Sequence, residues 1–121
     1  MRADQLSAAV TIFEKIARRE IPSEIVWEND EIVAFRDLNP QAPAHVLVVP
    51  KRVIPRIADA VETDAELLGK LLLAARDVAK QLGLTTSGFR IVINNGPDAG
   101  ETVPHLHVHV LGKRQLGWPP G

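Results

Sequence analysis

Three of the four histidines in this 121-residue chain fall within five residues, as His105-Leu106-His107-Val108-His109. Side chains on a β-strand alternate between faces, so a strand here carries three imidazoles on one face and Leu106, Val108 and Val110 on the other. Side chains on one face repeat at about 7 Å. A single histidine on a strand is most often structural. Three on one face repel one another if all are protonated, and they pack less well than aliphatic groups, so the cluster marks a site. Two chemistries suit it. Neutral imidazole is the commonest metal ligand, and residues two apart on a strand can share an ion. Catalytic zinc, however, wants convergent nitrogens with carboxylates behind them, and carboxylates are sparse around this segment. The second chemistry is nucleophilic and acid–base work on phosphorus, because imidazole titrates near neutrality and is nucleophilic when neutral. Displacement at phosphorus needs an in-line nucleophile, donors for the equatorial oxygens and a proton for the leaving group.

The preceding segment, Asn94 to Thr102, favours phosphorus. It holds two glycines, amide side chains and a hydroxyl. Gly100 lets the backbone come close to an anion, and exposed N–H groups can bind one.

The elements that must position these residues are readable in outline. Leu6, Ala9, Val10, Phe13, Ile16 and Ala17 recur at helical spacing, which predicts an N-terminal helix from about Ala3 to Arg19, closed before Pro22. Ile25-Val26-Trp27 and Ile32 to Arg36 read as strands around an Asn29-Asp30 turn. His45 to Val49 is a buried-strand run ended by Pro50. Asp64 to Leu82 is the long helix. Thr63 and Glu66 have capping-box spacing, Leu67, Leu68, Leu71, Leu72, Ala75, Val78, Ala79 and Leu82 form an apolar face, and Gly83 caps the end. Phe89 to Asn94 and His105 to Leu111 complete the strands. The expected fold is α+β, a five-stranded antiparallel sheet with one long helix and an N-terminal helix, in a single domain spanning 1–121.

Composition narrows the function. The chain is 45% hydrophobic and 24% charged with a formal net charge of −1, so it lacks a broad basic footprint for nucleic acid. It has no cysteine, which excludes disulfides, cysteine-based zinc sites and a thiol nucleophile. No apolar run approaches the roughly 20 residues of a membrane helix, and the first residues do not read as a signal peptide, so a soluble, cytoplasmic protein is expected.

The segment His105 to Leu111 matches the His-φ-His-φ-His-φ-φ signature, where φ is apolar, and so resembles the histidine-triad (HIT) family. Phe35 to Lys51 and the ending Gly112 to Gly121, with its Trp118-Pro119-Pro120-Gly121, resemble the HINT branch, the purine nucleoside phosphoramidate hydrolases. The resemblance runs from about Thr11 to the last residue. It implies that His107 is the nucleophile, that His109 contacts the phosphate, and that His105 and His45 orient the network. Asn94, Gly100 and Thr102 stand where the family contacts phosphate and leaving group. Asp37 matches the ribose-binding carboxylate, with Leu38 beside the base. Ile12, Phe13, Ile16, Ile21 and Phe35 would line the purine pocket, and Trp118 would reach towards a partner's leaving-group site. The implied substrates are AMP or GMP conjugates, the implied assembly is a homodimer meeting through the Phe89–Asn94 region and the long helix, and no cofactor or metal is required. Two alternatives stay open beside this: a dinucleoside polyphosphate hydrolase and a purine nucleotide-binding protein without catalysis. Relatives often carry a zinc-binding cysteine pair near the N-terminus, which this chain lacks. Asn95, Pro97 and Thr102 also depart from the common residues of the branch.

Overall fold

The computed structural model describes residues 10–121. The first helix, α1, runs over Ile12–Ala17. The part of the expected N-terminal helix before Val10, with Leu6 and Ala9, lies outside the described residues. α1 begins where it does because Thr11 and Glu14 form a capping box, the Thr11 hydroxyl accepting from the Glu14 N–H and the Glu14 carboxylate accepting from the Thr11 N–H.

Five strands follow: β1 (Ile25–Glu28), β2 (Ile32–Arg36), β3 (Ala44–Pro50), β4 (Phe89–Val92) and β5 (Val108–Gly112). They form one antiparallel sheet in the order β1-β2-β3-β5-β4. The β1–β2 hairpin turns on Asn29, whose side-chain oxygen accepts from the N–H groups of Glu31 and Ile32.

The long helix, α2 (Ala65–Gln81), lies on one face of the sheet. There Leu67, Leu71, Ala75 and Val78 pack on Ile32 and Ala34 of β2, Val46 and Val48 of β3, and Val108 and Val110 of β5. Gly83 ends the helix as expected. At φ +72° it sits in the left-handed region, its N–H donates to the Lys80 carbonyl, and Leu84 N–H reaches back to Ala79. The helix start differs from expectation. No Thr63–Glu66 box forms, and Asp64 instead accepts the Val61 N–H while pairing with Arg52 at 2.6 Å. Leu72, assigned to the apolar face, is 48% exposed. Its angular position on the helix falls at the edge of the buried stripe, so it faces outward.

Period-two alternation puts the other set of strand residues on the opposite face: Val33 and Phe35 of β2, and Leu47 and Val49 of β3. α1 covers this face through Phe13 and Ile16. The site therefore has its own small apolar cluster, separated by the sheet from the main core. Among the described residues no helix is long and apolar enough to cross a membrane.

Two strand limits are corrected. β4 stops at Val92, before Asn94. β5 begins at Val108, so His105 and His107 precede the regular strand. Pro104 has no N–H to offer, His105 N–H bonds to the Val103 carbonyl, and Leu106 N–H is taken by Ile54 at 2.6 Å. These bonds turn the chain away from the sheet ladder.

Candidate active site

Although only His109 lies on the strand, all three triad rings gather on the α1 side of the sheet. Phe13 packs against His105 and His107 at ring-centroid distances of 5.7 and 5.0 Å. His107 meets His109 edge-on at 5.0 Å, and His109 lies 5.2 Å from His45. His45, at the start of β3, is brought in by the β3–β5 register, which pairs Leu47 with His109. His45, His105 and His107 are buried.

The partners of each ring fix where its proton sits. A backbone N–H can only donate, so His45 Nδ1 accepts from Gln41 N–H at 3.0 Å and the ring proton lies on Nε2. That Nε2–H donates to His109 Nδ1 at 2.9 Å, which leaves the His109 proton on its own Nε2. A carbonyl can only accept, so His105 Nε2–H donates to Pro50 at 2.6 Å and His105 Nδ1 accepts the Thr11 hydroxyl at 2.7 Å. His107 Nδ1–H donates to the His105 carbonyl at 2.7 Å. In neutral His107 the lone pair on Nε2 is then the free one.

Burial favours uncharged rings. It holds His45 below its ordinary 6.5 against the pull of Asp37, and His105 below it against the Pro50 bond. Burial, reinforced by His107 and His45, lowers His109 to about 4. These three rings are neutral at pH 7.

A cavity of about 220 Å³ opens in front of them. α1 contributes Ile12, Phe13 and Ile16, and the end of β2 contributes Phe35 with the following Asp37 and Leu38. Thr102, Val103, His107 and His109 line it as well. One part is thus apolar and another carries a carboxylate, a hydroxyl and two imidazoles. Asp37 has two duties. One of its oxygens accepts from Asn39 N–H in a turn, while the other lies 3.5 Å from His45 Nε2.

Asp37, His45 and His109 bring their donor atoms within 4.8 Å of one another, close enough to suit a metal. The proton positions oppose that use. An ion bound to His45 Nε2 must displace the proton that bridges the two rings, and Gln41 N–H holds that tautomer in place.

The segment before the triad is tied down by Glu101. Its carboxylate takes three bonds from Arg56, at 2.9, 3.0 and 3.3 Å, and one from Gly96 N–H at 2.8 Å. Arg56 foremost, then Gly96 N–H, hold it below its usual 4.5, with a smaller contribution from His107. Asn95 adds a bond from Ala58 N–H at 2.8 Å. Gly100 turns the chain at φ +83°, a conformation that favours glycine.

Several expected site residues do not line the cavity. Ile21 faces a neighbouring, more open hollow, and Asn94 and Gly100 are not on the wall. Trp118 is 83% exposed beside Arg90, and its expected place is at a partner's site and not in this cavity. Conversely, Ser23, Arg36, Leu47 and Val103 line it without having been singled out. Thr11 was missed as the partner of His105, although Thr11-x-x-Glu14 is a legible helix-start pattern. Arg56 and Glu101 carry no sequence signal, because 45 residues separate them.

Comparison with known proteins agrees with this geometry. The HIT domain profile matches residues 18–116. A 14 kDa zinc-binding protein of Zea mays is 50% identical over 97% of this chain and 92% of its own. A HIT family hydrolase from Legionella pneumophila superposes with a TM-score of 0.89 at 46% identity, covering 91% of this chain and 98% of that one. A histidine triad nucleotide-binding protein from Candida albicans gives 0.77 at 30% identity, over 90% of this chain and 82% of its own. The chain belongs to the histidine-triad, or HIT, family.

Proposed function

We propose that this protein hydrolyses purine nucleoside 5′-phosphoramidates, as expected of the HINT branch, and that the whole chain acts as one unit. The observation that carries the proposal is the proton order of the triad. His107 donates from Nδ1 to the His105 carbonyl and leaves Nε2 as a nucleophile at the wall of a cavity with an apolar part. In this scheme Ile12, Phe13, Ile16 and Phe35 embrace the base and Asp37 accepts from the ribose hydroxyls. His107 Nε2 attacks the α-phosphorus, an N–P bond forms to the ring, and the substrate P–N bond breaks. The amine leaves with a proton drawn from water, while His109 Nε2–H and the Thr102 hydroxyl on that wall hydrogen-bond the leaving group. The hydroxide so formed attacks phosphorus, the His107 Nε2–P bond breaks, and the nucleoside monophosphate is released with His107 neutral again. The N–H groups and Thr102 of the glycine-bearing segment stabilise charge on the phosphoryl oxygens. The likeness to a nucleotide-binding protein and to a HIT family hydrolase supports this reading. We further propose a homodimer through β4, a sheet edge, and α2, where Leu72, Leu73 and Ile91 leave apolar surface exposed.

The test is turnover of an adenosine phosphoramidate bearing a fluorescent amine. His107→Asn is expected to lose at least about a hundred-fold in turnover while still binding AMP. Near-normal turnover in that variant removes His107 as nucleophile. Faster cleavage of a diadenosine polyphosphate than of the phosphoramidate by the unmodified protein favours the dinucleotide alternative.

A further inference from the structure

Ser23 stands where two hollows meet. It and Ile16 are the residues common to the active-site cavity and to the more open hollow beside it. Its hydroxyl oxygen is buried, and among the described residues it is the one buried side-chain N or O atom without a hydrogen-bond partner. A buried hydroxyl left unpaired is unfavourable, and native structures keep such groups few. Local structure gives no reason for it. Ser23 follows Pro22 in an irregular segment, caps no helix and belongs to no strand. Alanine would fill the same space without leaving a polar atom unpaired.

The cavity supplies a reason. The cavity that Ser23 lines has an apolar part, with Phe13 and Ile16 of α1 and Phe35 of β2, and Arg36 lines it too. A flat ring entering this part meets hydrocarbon nearly everywhere, so a single hydroxyl there sets which edge it accepts. Rotation about one bond carries Oγ between staggered positions, so the hydroxyl can turn towards a ring that arrives. A hydroxyl both donates and accepts. It can donate to a ring nitrogen while accepting from an adjacent exocyclic amine, the pair of groups on the six-membered edge of adenine.

We propose that Ser23 is a specificity-determining residue that hydrogen-bonds the amino-bearing edge of the purine base. The inference rests on the nucleotide reading of the cavity but not on P–N hydrolysis. Base recognition of this kind needs a group in a dry place, and the buried Ser23 Oγ provides it.

The test measures binding by calorimetry, without turnover, using AMP and purine riboside 5′-monophosphate, which lacks the 6-amino group. The unmodified protein is expected to prefer AMP by roughly 3- to 10-fold, the range of one neutral hydrogen bond. Ser23→Ala should weaken AMP more than the nucleotide without the amine, which keeps the ring nitrogen but offers nothing for the hydroxyl to accept from, so the preference collapses. Ser23→Thr keeps the hydroxyl and should keep the preference. Equal loss for both nucleotides, an unchanged preference in Ser23→Ala, or no AMP binding by the unmodified protein overturns the proposal. If phosphoramidates are not cleaved but AMP binding still depends on Ser23, the proposed reaction fails and this inference stands.

Discussion

Thr11 shows how one hydroxyl can serve both a helix and the hydrogen-bond network of the triad. Its oxygen accepts from Glu14 N–H, which starts α1, and its proton goes to His105 Nδ1. His105 in turn offers its carbonyl to His107, so a residue 94 positions away in sequence from the triad's first histidine helps orient the proposed nucleophile. Thr11→Val keeps the shape and removes both bonds. We expect about 1 kcal/mol of lost stability from the cap. We also expect kcat for the phosphoramidate to fall by roughly 10-fold with KM nearly unchanged, because a displaced His107 ring attacks less well but hinders binding little. Thr11→Ser should restore kcat. An unchanged kcat in Thr11→Val, measured by steady-state kinetics, would show that Thr11 serves the helix alone.

The segment from Gly96 to Thr102 is held as an element by the Arg56–Glu101 pair. A two-pronged guanidinium–carboxylate contact fixes orientation as well as distance, and Glu101 also fastens Gly96 N–H. Arg56→Gln should loosen this segment, raising the Kd for AMP several-fold and speeding hydrogen exchange at residues 96–102, with the α2 core unaffected. Unchanged exchange and affinity would reduce the pair to an exposed ion pair of little consequence. Local rules and long-range rules divide what could be read beforehand. α2 was legible because Leu67, Leu71 and Val78 repeat at helical spacing and Gly83 ends the run. The short run Ile32 to Arg36 after the Asn29-Asp30 turn placed β2 equally well. The start of β5 was not legible, since His105 and Leu106 are claimed by the Pro50 and Ile54 carbonyls from distant parts of the chain. The residue types of the site were plain from the triad. The roles of Thr11, Ser23, Arg56 and Glu101 arise only when folding brings separate segments together.

At the scale of the molecule, the sheet separates two kinds of interior. The α2 side is hydrocarbon, whereas the α1 side buries imidazoles beside Phe13 and Leu47. For His45, His105 and His109 burial favours the neutral ring, which links stability to pH. Unfolded histidine takes up its proton near 6.5, but folded His109 resists until about 4, and His45 and His105 are lowered in the same direction. Between those values the unfolded chain binds more protons, so stability must fall as pH falls. The contribution is fully present above 6.5 and is lost progressively as pH drops towards 4. His109 alone accounts for about 2 kcal/mol between pH 7.5 and 5. Carboxylates do not confuse this window. Glu28, held at about 2 by Arg19 and Lys51, loses its contribution only below its ordinary 4.5. Urea unfolding at pH 7.5, 6 and 5 should therefore show a steadily lower midpoint, and His109→Gln should flatten the dependence. A midpoint constant across that range would mean that the buried rings take up protons in the folded state as readily as in the unfolded one, and the neutral relay from His45 to His109 would have to be abandoned.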